Sequence, residues 1–188
     1  MKEKKDLRII KTQRNLYNAL TNLLKVKSFE SIKVSDICQE ALVNRSTFYD
    51  HYNDKYELLI DYINSEKKIL EDALSINKND VSTKKYYIEL IKIVINHVDE
   101  LKDLYQAIII NNQNSIVMNI LIDVVTKDVE NKVKDNTQSK IPSKIITKFY
   151  VGAVVNVCME WLMNNSLYSK EEIVSYLTTL LPDNIDNI

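Results

Sequence analysis

One glycine, Gly152, and two prolines, Pro142 and Pro182, occur in 188 residues. Average usage is about 7% and 5%. So few glycines exclude the hairpin turns of an all-β fold, which need residues at positive φ. They also exclude a P-loop and a G-x-G-x-x-G nucleotide fingerprint, each of which takes more than one glycine. Cysteine is as scarce: Cys38 and Cys158 lie 120 positions apart, neither in a C-x-x-C pair, and there are two histidines. That excludes a Cys/His zinc site. Both thiols are expected to be reduced and buried, and no metal or other cofactor is expected. No basic-then-apolar leader opens the sequence. Its apolar stretches read as shorter than the ~20 residues that cross a bilayer. The expectation is a cytoplasmic protein with no membrane partner.

What is present is a folding composition, 45% hydrophobic and 27% charged, pointing to an all-α protein. The charge is uneven. The first 55 residues carry 11 Lys+Arg against 7 Asp+Glu, and the rest 14 against 19. A front of +4 suits a polyanion and a remainder of −5 does not.

Helical periodicity organises the chain. Leu16, Leu20, Leu23 and Leu24 mark one face of a helix over 7–24. Phe29, Ile32, Val34 and Ile37 lead through a short connection into a helix near 34–41. Asn44 is placed to cap a third helix over 45–52, with Phe48 and Tyr52 inward. Asp54 and Glu57 form a D-x-x-E capping box for a fourth, 54–73. The polar stretch 75–83 reads as a linker. Helices follow at 84–96 and 98–111, broken near Asn96–His97, and at 114–133. After a polar loop over 134–143, a long helix covers 142–164. Ser169 and Glu172 cap a last one, 170–180, which Pro182 stops. About nine helices result, with a domain boundary drawn between 1–55 and 56–188.

The informative segment is 34–59. Two short helices joined by a tight turn, behind a longer supporting helix, make a helix-turn-helix. The second helix of such a unit enters the major groove of DNA with its first turn toward the bases. Asn44, Arg45, Ser46 and Thr47 occupy that turn, and all are hydrogen-bonding groups. Tyr49 and His51 project toward the groove walls. Lys55 stands at the N-terminus of the next helix, where free N–H groups and the helix dipole favour a phosphate. Lys2, Lys4, Lys5 and Arg8 add a basic tail.

The run Ser46-Thr47-Phe48-Tyr49-x-His51-Tyr52-x-x-Lys55 resembles the TetR-type bacterial transcriptional regulators. Leu16, Ala19, Leu23, Phe29, Val34, Asp36, Ile37, Ala41, Val43, Leu58 and Leu59 fit the same pattern, over about 8–62. The resemblance implies an all-helical homodimer. Its N-terminal three-helix helix-turn-helix domain would bind DNA, and its C-terminal helical bundle would dimerise and regulate. Carried over by position, Asn44, Arg45, Ser46 and Thr47 would face bases. Tyr49, His51 and Lys55 would hold phosphates, and Lys33 and Ser35 would touch the opposite groove edge. The implied function is sequence-specific binding of a palindromic operator in double-stranded DNA, as a repressor. The alternative is a coactivator or adaptor of the same fold that works through protein contacts. No enzymatic constellation is legible.

Three positions depart from the family pattern. Ser28 and Leu42 stand where it favours glycine. Lys33 replaces the usual Thr cap of the second helix. A non-glycine residue held at positive φ costs about 1 kcal/mol.

The 142–164 helix is apolar on two sides. Phe149, Gly152, Ala153 and Val157 are expected at a dimer interface shared with 170–180. Tyr150, Asn156, Met159, Glu160 and Trp161 are candidates to line an effector pocket for an unknown small-molecule or protein effector. The run from Phe149 to Leu162, with Ser169-x-Glu171-Glu172, loosely resembles a DhaS-like subgroup of the same family.

Overall fold

A computed structural model describes residues 7–73, 83–111, 119–120, 122–123, 126–127, 130, 141–164 and 167–181. Among the described residues every regular element is helical. Eight α-helices have described bounds: α1 Leu7–Leu24, α2 Val34–Ala41, α3 Arg45–Tyr49, α4 Lys55–Ala73, α5 Thr83–Glu100, α6 Lys102–Asn111, α7 Ser143–Met163 and α8 Lys170–Thr179. The expected linker over 75–83 and most of the expected 114–133 helix and 134–143 loop lie outside the described residues. So do Lys2, Lys4, Lys5 and Pro182.

The chain divides into two compact units, Met1–Ser65 with Ala107–Ile120, and Glu66–Gln106 with Leu121–Ile188. The first runs past the expected boundary at 55. The reason is α4: Leu58, Leu59 and Ile63 are buried, Asp61 and Tyr62 meet Tyr17 of α1, and nothing in 55–65 interrupts the helix.

In the first unit α1 packs on α2, and α2 on α3. The core is Leu16, Leu20, Leu24, Phe29, Ile37, Phe48 and the inward side chains of α4. The turn between α2 and α3 depends on Leu42, which is left-handed at φ 56° and ψ 43°. It is the only non-glycine residue at positive φ among those described. The turn thus keeps the backbone a glycine would favour, with a 92% exposed leucine on it. Ser28, by contrast, is at φ −65°, so nothing there calls for glycine. Replacing Leu42 by Gly is expected to stabilise the unit by about 1 kcal/mol through relief of left-handed strain. A thermal melt that falls instead would show that the leucine side chain contributes more than its backbone strain costs.

Two helix boundaries differ from expectation. α3 is regular only over Arg45–Tyr49. The N–H groups of His51 and Tyr52 both point to the Phe48 carbonyl, at 3.0 and 2.9 Å, so its final turn tightens and ends. α5 runs through Asn96 and His97, and the break comes at Leu101. The exposed Asn96 costs a helix little, and the Leu101 N–H still reaches His97 O at 3.1 Å.

In the second unit α5 packs on α8, and Tyr87 and Leu90 pack on Val151 of α7. α8 is capped as expected: the Ser169 hydroxyl accepts from Glu172 N–H at 3.2 Å, and Glu172 Oε2 accepts from Ser169 N–H at 2.8 Å. α7 has the two-sided character read from sequence. Ile146, Val151, Cys158, Trp161 and Leu162 are buried, while Ile145, Phe149 and Met163 are exposed. Contrary to the reading of short apolar stretches, Lys144–Met163 is long and apolar enough to cross a membrane by length and composition. Thr147, Gly152 and Asn156 break up its apolar runs without adding charge.

Candidate nucleic-acid interface

The first turn of α3 lies open. Asn44, Arg45 and Ser46 are exposed and Thr47 is half-buried. Behind it Phe48 is 0% exposed and Tyr52 5%. This is the division a reading helix needs, with an apolar anchor behind and hydrogen-bonding groups in front. Tyr49 is 56% exposed, its ring edge-on to Phe48 with centroids 5.5 Å apart. His51 is half-buried, 6.1 Å from the Tyr52 ring. Asn44 stands at the cap position in extended conformation but makes no side-chain cap bond, so its amide is not tied up in the helix.

At the start of α2, Lys33 is exposed and Ser35 half-buried. The Lys33 side chain is no cap, since an ammonium has no acceptor. The end is held from the other side instead. Asp36 Oδ2 accepts from Lys33 N–H at 3.1 Å and from Lys27 Nζ at 2.7 Å. The Lys27 ammonium, then the Lys33 amide, hold the Asp36 carboxyl below its usual range.

Lys55 corrects an expectation. Its ammonium donates to the carbonyl oxygens of Phe29 at 2.8 Å, Glu30 at 3.0 Å and Ile32 at 2.8 Å. An ammonium has three protons, so none is left for a phosphate. The charge also lies 4.7 Å from the Phe29 ring centroid and 5.6 Å from that of Tyr56. Burial pushes it below the usual lysine value, with Glu30 opposing. The expected open N-terminus of α4 is occupied as well. Asp54 Oδ1 accepts from Tyr56 and Glu57 N–H at 2.8 and 2.9 Å, and Glu57 Oε2 accepts from Asn53 N–H at 2.7 Å. Two carboxylates at this end repel a phosphate.

Sequence reading missed a polar cluster behind α3. Asp61 Oδ2 on α4 accepts from Tyr17 Oη, Tyr52 Oη and Gln13 Nε2, each at 2.7 Å. The available signal was an acid one turn beyond Leu58 on the inward stripe of α4, together with two tyrosines in core register.

The five pocket candidates do not converge. Trp161 is buried, its indole N–H donating to Tyr168 O at 3.1 Å. Asn156 and Glu160 are exposed. Asn156 Nδ2 donates to Gly152 O at 2.8 Å, and Glu160 accepts from Asn164. Helical periodicity puts Asn156 on the Phe149–Gly152 side, away from Trp161. Tyr150 and Met159 are half-buried. Among the described residues no group of three or more His, Cys, Asp or Glu is arranged to hold a metal.

The exposed polar turn on a buried short helix, after a supporting helix and a tight turn, defines a helix-turn-helix DNA-binding transcription regulator. Residues 16–62 match the family model described as bacterial regulatory proteins, tetR family. Residues 87–183 match the TetR C-terminal model described as transcriptional regulator C-terminal region. The chain belongs to the TetR family. It is 27% identical over 175 residues, 90% of this chain and 88% of the relative, to the HTH-type dhaKLM operon transcriptional activator DhaS of Lactococcus lactis subsp. lactis. Its fold is that of a TetR transcriptional regulator from Streptococcus agalactiae 2603V (TM-score 0.60, 24% identity, 94% of this chain and 96% of that one). A Listeria innocua protein is likewise similar (TM-score 0.65, 24% identity, 95% and 93% covered). Regulators of this family bind DNA and typically form dimers.

Proposed function

We propose that the protein is a sequence-specific regulator that binds a palindromic operator as a homodimer, acting in the cytoplasm and without enzymatic activity. It represses where the operator overlaps a promoter. The observation that carries this reading is the open first turn of α3, with Asn44, Arg45 and Ser46 exposed ahead of buried Phe48. Arg45 and Asn44 are the base readers, with Ser46 and Thr47 beside them. Tyr49 and His51 approach the phosphates, and Lys33 and Ser35 the opposite groove edge. The dimer forms through the outer face of α7, where Phe149, Gly152 and Ala153 lie with Val157 at the edge, continued by exposed Tyr176 and Leu180 of α8. Dimer symmetry then demands inverted half-sites about one helical turn, ~34–36 Å, apart or a multiple of that.

An effector, small molecule or protein, would act through the C-terminal unit. Of the pocket candidates Tyr150, Met159 and Trp161 remain on its inner and flanking sides, whereas Asn156 and Glu160 do not. DhaS, the relative named as an activator, favours keeping the coactivator alternative open to the same test.

Arg45→Ala tests the reading. Duplexes selected by the native protein from a randomised pool should bind the variant with about 1–3 kcal/mol less discrimination, at unchanged thermal stability. Equal affinity of native and variant protein for those duplexes would remove Arg45 from the interface and favour the adaptor.

A further inference from the structure

α3 has five residues, Arg45–Tyr49, well under the ~12–15 that sustain a helix unaided. With no side-chain cap at Asn44, its placement comes from what Phe48 and Tyr52 touch. Phe48 is held by apolar packing, which is non-directional. Tyr52 adds a directed contact, its hydroxyl donating to Asp61 Oδ2 of α4 at 2.7 Å. The same oxygen accepts from Tyr17 and Gln13 of α1. Burial first, then the bond to Asp61, raises the Tyr17 hydroxyl to about 12, and that of Tyr52 is raised for the same reasons. Both phenols therefore stay protonated as donors. A partly buried carboxylate contributes little net stability over apolar packing, and Phe48, Leu58 and Leu59 already supply that packing. What the carboxylate adds is direction.

We propose that Asp61 is a positioning residue for DNA recognition: through Tyr52 it makes the orientation of α3 follow that of α4. This rests on α3 being the segment that meets DNA.

Two phenylalanine variants separate positioning from packing. Tyr52→Phe keeps the ring and leaves Asp61 bonded to α1. Tyr17→Phe removes a bond of equal length from the same oxygen on the α1 side. Each full-length variant is measured for amide exchange and for selectivity. Selectivity is the ratio of binding to a duplex enriched by the native protein over binding to its scrambled version. Tyr52→Phe is expected to speed exchange at the Phe48, Asp50 and Tyr52 amides about tenfold and to lower selectivity about tenfold, the effect of one bond to a charged group. Tyr17→Phe should lower the melting temperature and leave both readouts as in the native protein. Equal changes in the two variants, or native exchange in Tyr52→Phe, would overturn the proposal and leave packing as the role of the cluster. If the native protein enriches no sequence, sequence-specific binding is refuted instead, and amide exchange alone decides the role of Asp61.

Discussion

Gly152→Leu should separate the dimer into folded monomers and lower operator affinity by a factor of about 100 or more. The two halves of this expectation have opposite signs. Within one chain, a Cβ built on Gly152 meets nothing within 4 Å. Glycine in an exposed helix interior costs about 1 kcal/mol against a good helix former, so the isolated chain should gain stability. In the proposed interface, the bare backbone at Gly152 would allow α7 to approach its symmetry mate closely, beside a 68% exposed Phe149. A leucine there pushes the helices apart. Losing the dimer loses the second half-site, and linking two binding modules contributes factors of about 10²–10⁴. Sedimentation equilibrium and operator titration read the loss, and calorimetry reads the gain. A variant that stays dimeric with native operator affinity would place the interface elsewhere.

Lys55→Met should destabilise the DNA-binding unit by about 2 kcal/mol, in line with breaking a network of charge-assisted hydrogen bonds. The carbonyls of Phe29, Glu30 and Ile32 share that one ammonium. Removing it releases the 3-10 turn Phe29–Ser31 from the start of α4. The methionine retains much of the contact with the Phe29 and Tyr56 rings, so the loss reports on the charge. The salt dependence of DNA binding should not change, because no phosphate contact is lost. A phosphate-binding lysine would instead reduce the slope of log K against log salt by about 1. A reduced slope at unchanged melting temperature would restore Lys55 to the phosphate.

The helices were legible because their signals are local. The leucine stripe of α1, the capping pair Ser169 and Glu172 and the apolar run of α7 each act within a few turns of chain. α1 and α2 have the bounds expected from those signals. The motif around Thr47–Lys55 was equally local and carried the family. The break between α5 and α6 was misplaced because one polar residue at Asn96 is a weak signal beside continuous hydrogen bonding through His97.

Composition, periodicity and one motif therefore sufficed for an all-helical DNA-binding regulator. What they left open turned on partners distant in the chain. Lys55 meets carbonyls 23 to 26 positions away, and a lysine beside a helix start reads the same whether it faces carbonyls or phosphate. Asp61 meets Gln13 and Tyr17, 48 and 44 positions away. Asn156 could be assigned to a pocket only until burial showed that its side of α7 faces outward. Leu42 shows the same limit from another direction. Sequence registers an unusual residue in a tight turn, but whether the turn changes or the leucine is strained depends on how firmly α1 and α3 clamp α2. Local hydrogen bonding and amphipathicity are written along the chain. The destination of a charge or a polar side chain is settled by which helices pack, because desolvation and hydrogen-bond geometry depend on neighbours that the linear order does not reveal.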